Sequence, residues 1–413
     1  MQNTFRVPFL FIGVGILLFI FFNLFALVDP QFYAENSIRI PYGWSLAHLG
    51  VLGWGSMIAM GAIYQLLQVV LQRQVYSEKL CYMHFVAYSI GVLGLAHAFY
   101  HFDLKLLMGS AIFVFIGICL FVINILATVM QAKNWNSITA AVTISIVALL
   151  LTAATGALMG VDFSLAFLGN LHDSLLPTHI WLGVIGWFGL LIVGFSFKLL
   201  PMFLLAHNYS QRIEPWIVGL MTAGMIGMAL SLFLGLSTII LWINLLLVTI
   251  GFGLYWYHVE QMNKHRHKAS PGAGIVSAIW VVRGTSVFFV LVLLALGAFP
   301  SLWVNEFFIR GAFYFFLLLW VNGSILCYMS KIVPFLWWTH KYSSQMGKPG
   351  VPALAQLLVE KSFSNILRVL LVAHVIFGIT VMFGISSVQF YLQLIISLLS
   401  IVYASQIALV FRR

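Results

Sequence analysis

Apolar runs recur from one end of this 413-residue chain to the other. A helix needs about 20 such residues to cross the hydrocarbon core of a bilayer. The runs predict twelve spans, near 7–27, 43–70, 80–101, 105–130, 137–160, 175–203, 214–235, 237–258, 275–298, 305–333, 363–384 and 388–411. Only 7% of the residues are charged, whereas a soluble domain carries roughly 25%. Barrel strands would be shorter, with strict in–out alternation, and that pattern does not occur. The chain therefore reads as an all-α membrane protein, a single polytopic domain over residues 1–413.

The formal charge of +10 is a matter of topology. With the N-terminus in the cytoplasm, 17 of the 20 Lys and Arg fall on the inner side, and only Arg39, Lys105 and Arg310 fall outside. Loops rich in Lys and Arg stay cytoplasmic. Both termini are thus expected in the cytoplasm, with the chain in the cytoplasmic membrane and the lipid bilayer as its first partner. Basic patches such as Lys264–Lys268 then face anionic lipid, not nucleic acid. The first span follows Met1–Arg6 with no small-residue cleavage site, so it reads as retained rather than as a signal peptide.

Internal repetition organises the spans. Trp54, Trp187 and Trp320 are 133 residues apart, as are the pairs Tyr76-Ser77, Tyr209-Ser210 and Tyr342-Ser343. HLGVLGW (48–54) answers WLGVIGW (181–187). Helices 2, 6 and 10 are therefore expected to be equivalent, in three pseudo-repeats of four helices. Lys198/Lys331, Pro201/Pro334 and His207/His340 keep the same offset. Duplication explains them, and a lysine near an inner helix end snorkels to the interface. Cys81, Cys119 and Cys327 are scattered, with no paired spacing. No phosphate loop with a Lys-Ser/Thr ending is present, which argues against direct ATP use.

The topology sorts the twelve histidines by depth. His84, His207, His258, His265, His267 and His340 are placed at or beyond inner helix ends. His48 falls near the outer end of helix 2, and His97 and His101 at the outer end of helix 3, at the i, i+4 spacing of paired metal ligands. His179 falls near the outer start of helix 6, with His172 before it in a loop beside Asp173. Neutral imidazole binds copper, zinc and iron, and Asp103, Asp162 and Asp173 give that side a cation-attracting rim. A lone histidine at a helix end ordinarily sits among headgroups, bonded to water. Several at one depth point to a metal site of His48, His97, His101, His179 and His172. His374, near the middle of helix 11, is a further ligand candidate or a core hydrogen-bonding group. Met108 and Met159 also fall outward, as a Met-rich core would place them.

Twelve helices in three groups of four resemble subunit I of the haem–copper oxidases and nitric oxide reductases. SLAHLGVLGWGSMIAMGAIYQLLQ (45–68) is similar to that family's second helix, where a histidine near the outer end ligates the low-spin haem; His48 matches it. THIWLGVIGWFGLLIVGFSFKLLP (178–201) is similar to the sixth helix, whose early histidine ligates copper; His179 matches it. The family also carries two histidines on helix 10 and a His-His pair on helix 7. Here EFFIRGAFYFFLLLWVNG and IVGLMTAGMIGMALSLFLG carry none. The resemblance thus implies an oxidase-like chain with an incomplete ligand set and no assigned catalytic residue.

The leading expectation is a membrane protein that binds copper at the outer histidines and imports or delivers it for cytochrome oxidase biogenesis. Its partners would be an oxidase or its assembly factors. One alternative is a haem b redox protein or reductase-like subunit, with His48 as an axial ligand and His374, His97 or His101 opposite. Another is a metal-free assembly partner of a respiratory complex.

Overall fold

Lipid offers no hydrogen bonds to a bare backbone, so a spanning segment must satisfy its own amides, and helices do this within one segment. The computed structural model describes residues 6–29, 32, 39–71, 73–131, 135–346 and 348–413. Twelve helices in it are long and apolar enough to cross a membrane. They are α1 Arg6–Ala26, α2 Pro41–Gln68, α3 Glu78–His101, α4 Leu104–Met130, α5 Ser137–Leu165 and α6 Leu171–Leu204. The second half adds α7 Glu214–Phe233, α8 Thr238–Lys264, α9 Ala273–Ala298, α10 Glu306–Gln345, α11 Glu360–Met382 and α12 Ser386–Arg412. The segment before Arg6, expected to hold no cleavage site, lies outside the described residues.

Successive helices run in opposite directions, so one end of the bundle collects Asp103, Asp162 and Asp173 and the other most of the Lys and Arg. We call these the acidic and basic ends. Several helices outrun their predicted limits. α10 continues past 333 to Gln345 with Pro334 inside it, because neighbouring spans tolerate a proline that would break an isolated helix. α6 begins at Leu171 rather than 175, which moves His172 from a loop into the first turn.

Tight turns are set by caps. Phe102 adopts a left-handed conformation (φ 53°), ending α3, and Asp103 accepts from the amides of Lys105 and Leu106 to start α4. α3 and α4 then approach closely, because a side chain at Gly91 would stand 2.5 Å from the Val114 amide nitrogen. Gly224 brings α7 equally near α8, since a Cβ there would stand 2.7 Å from the Asn244 carbonyl oxygen. Small residues at helix contacts let backbones pack without a hydrophobic drive.

α2, α6 and α10 meet in the interior. Each changes from α to π winding at a corresponding place, over Leu49–Ser56, Leu182–Gly189 and Phe316–Asn322. The repeated tryptophans bond from one of these helices to another. Trp54 Nε1 donates to Asn322 Oδ1 at 2.8 Å, and Trp187 Nε1 donates to Ser56 Oγ at 3.1 Å. Ser56, Gly189 and Asn322 are themselves 133 residues apart, so Gly189 stands where Trp320 would find its acceptor. Glycine has no side chain to offer, and the buried Trp320 Nε1 has no partner among the described residues.

Candidate metal centre at the acidic end

His48 and His179 each sit just before the π-wound stretch of its helix. Such stretches are rare and occur frequently at functional sites. His48 Nδ1 donates to the Trp44 carbonyl at 2.7 Å, and its ring stacks on Phe99 of α3 with centroids 4.7 Å apart. His179 Nδ1 donates to the Thr152 carbonyl of α5 at 2.8 Å, with Thr155 Oγ1 3.2 Å from the same nitrogen. A carbonyl only accepts, so both neutral rings carry their proton on Nδ1. Each therefore presents an unprotonated Nε2, with no bond to it among the described residues.

This is the arrangement of a metal-ligating histidine, whose second nitrogen donates to a carbonyl that fixes tautomer and ring direction. Gly156 completes the cradle, since a Cβ there would stand 2.8 Å from His179 Cε1. The two imidazoles lie within electrostatic reach of each other, and both are half-buried.

The other expected ligands lie apart from this pair. The rings of His97 and His101 lie with centroids 4.4 Å apart and planes tilted by 46°, and both are exposed. Phe99 lies between them in sequence and faces His48, and a residue two positions away on a helix points about 200° around it. Depth along the helix was correct for these two, but direction was not visible. His172 Nδ1 pairs with Asp162 Oδ2 at 2.8 Å, and its ring packs on Phe163. Among the described residues no three His, Cys, Asp or Glu side chains come close enough to share a metal. The five histidines expected at this end are therefore not gathered into one cluster among the described residues, and His48 and His179 remain as the carbonyl-anchored candidates.

Two of the histidines placed at inner helix ends are buried there. His84 Nδ1 meets Tyr64 Oη at 2.9 Å, and His258 Nε2 meets Glu214 Oε1 at 3.1 Å, each histidine fully buried.

His374 lines an apolar chamber of about 110 Å³ between α1, α2, α10, α11 and α12, walled by residues such as Phe19, Trp54, Tyr314 and Phe377. It is 1% exposed and its Nδ1 has no partner among the described residues, which leaves it a candidate axial imidazole. Among the described residues no second histidine, Met or Cys lines the chamber and no Lys or Arg lines it to meet the two carboxylates of a haem, and pockets for ligands smaller than haem run to roughly 300–1,000 Å³. His48 is not among the residues lining it, although Ala47 and Gly50 are.

The sequence offers both carbonyl-anchored histidines as candidates but does not single out Thr152, Thr155 and Gly156, which position His179. A Thr-Gly step in an apolar helix is the only local trace of that role. A comparison with curated proteins finds no match. The model of the family described as cytochrome c and quinol oxidase polypeptide I matches residues 3–244, more than half of the chain. With twelve spanning helices, this oxidase-like subunit I belongs to the cytochrome c and quinol oxidase polypeptide I family.

Proposed function

We propose that this chain is a copper-handling relative of the oxidases, which takes up copper at the acidic end and passes it on for cytochrome oxidase assembly. The observation that supports this is the pair of carbonyl-anchored imidazoles, His48 and His179, each with a free Nε2 turned from a different helix. Imidazole suits copper, and two neutral ligands make a site that can release its ion to a stronger acceptor. Oxygen reduction at a binuclear centre would need the helix 7 and helix 10 histidines, and α7 carries none, while the one on α10, His340, lies in its last turns at the basic end.

Copper content of the purified protein tests the reading. The wild type should hold copper, and a His48→Ala, His179→Ala variant should lose it. Gly156→Ala keeps both ligands but pushes the His179 ring aside, and should weaken copper binding about 10–100-fold, as loss of ligand support does elsewhere. Equal copper in wild type and double variant would overturn the assignment. A Soret band without copper would assign the chain to haem instead.

A further inference from the structure

At the basic end two loops are stitched together by their backbones. α6 ends with Leu205 in a left-handed conformation (φ 51°), and the chain then forms an antiparallel bridge between Ala206 and Arg266, beyond α8. The Lys268 amide donates to the Leu204 carbonyl at 3.2 Å, fixing the register. This brings His207 and His267 together, with ring centroids 5.8 Å apart and planes 31° apart. Both are exposed. Their neighbour His265 makes no ring contact with either among the described residues, and its Nδ1 donates to the Gln261 carbonyl at 2.8 Å.

We infer that His207 and His267 form a second copper site, for the cuprous ion, at the opposite end of the bundle from His48 and His179. Metal–nitrogen bonds of about 2.0–2.1 Å put each ring centre about 3.1 Å from the ion. Two imidazoles on one ion then have centroids about 5 Å apart in tetrahedral geometry and about 6 Å apart in linear geometry. The observed 5.8 Å lies toward the linear limit, which suits a two-coordinate cuprous ion. Charge gives the same preference. Lys264, Arg266 and Lys268 flank the pair and oppose any cation, but they oppose a singly charged ion half as strongly as a divalent one. Salt in the medium weakens that opposition further, since the pair is exposed.

The choice of ion rests on the copper reading, whereas the pairing of the rings does not. The test is anaerobic competition for Cu(I) against a chromophoric chelator. It uses the full chain with His97→Ala and His101→Ala throughout, so that the exposed pair on α3 contributes nothing. This background should bind two equivalents. Adding His207→Ala or His267→Ala should remove one, or weaken it at least tenfold, while His265→Ala should leave both. Two equivalents retained by both the His207→Ala and the His267→Ala chains would overturn the site. Loss of one equivalent with either, but none with His48→Ala plus His179→Ala, would sustain this site and defeat the proposal for the acidic end. Thermal unfolding midpoints matching the background would show that the variants are folded.

Discussion

A Gly91→Val chain should fail to fold, while Gly13→Val should behave as wild type. The added Cβ at 91 would lie 2.5 Å from the Val114 nitrogen and 3.0 Å from the Phe113 carbonyl carbon. Those are backbone atoms of α4, and no rotamer change can move them. Relief requires α3 and α4 to separate along a contact that small residues built. Overpacking a core typically costs about 1–3 kcal/mol, and here the strain falls on two helices at once. Gly13 is the control, a helical glycine where an added Cβ would meet no atom within 4 Å. The readout is size-exclusion chromatography of fluorescent fusions in mild detergent. A sharp, wild-type peak from Gly91→Val would show that α3 and α4 are not this close.

Opposite shifts in thermal stability should follow from two substitutions on the axis where α2, α6 and α10 meet. Asn322→Ala removes the acceptor of Trp54 Nε1, and an orphaned buried donor costs about 1–3 kcal/mol. Gly189→Ser should stabilise. Its position corresponds to Ser56, which accepts from Trp187, and a Cβ there meets nothing nearer than 3.5 Å. The new hydroxyl can accept from Trp320 Nε1, a bond worth about 0.5–1.5 kcal/mol, and loss of a helical glycine adds roughly 0.5 kcal/mol. Intrinsic fluorescence during heating reports both. A lower midpoint for Gly189→Ser would mean that the third indole does not face residue 189.

The twelve spans could be read from the sequence because each carries its own signal, a long apolar run. Depth along a span is likewise a matter of counting, which is why His48 and His179 were both placed near the same bundle end. Rotation about a span is different. His97, Phe99 and His101 share a depth, yet only Phe99 turns to His48, and helical hydrophobicity gives no cue when lipid and core are equally apolar. Proximity between distant segments is harder still. Gly156 makes room for a ring on another helix, and His207 meets His267 through a bridge between two loops. Neither contact leaves a pattern along the chain.

The indole bonds on the axis also set a schedule for synthesis. Trp54 and its acceptor Asn322 are 268 residues apart, and a ribosome adds about 5–20 residues per second. The first third of the protein therefore waits roughly 13–54 s, at that rate, before α10 arrives to complete its interior. During that interval α2 carries a buried-type indole without its acceptor in a half-built bundle. Insertion machinery that shelters early helices, rather than releasing them singly into lipid, is what such long-range closure demands.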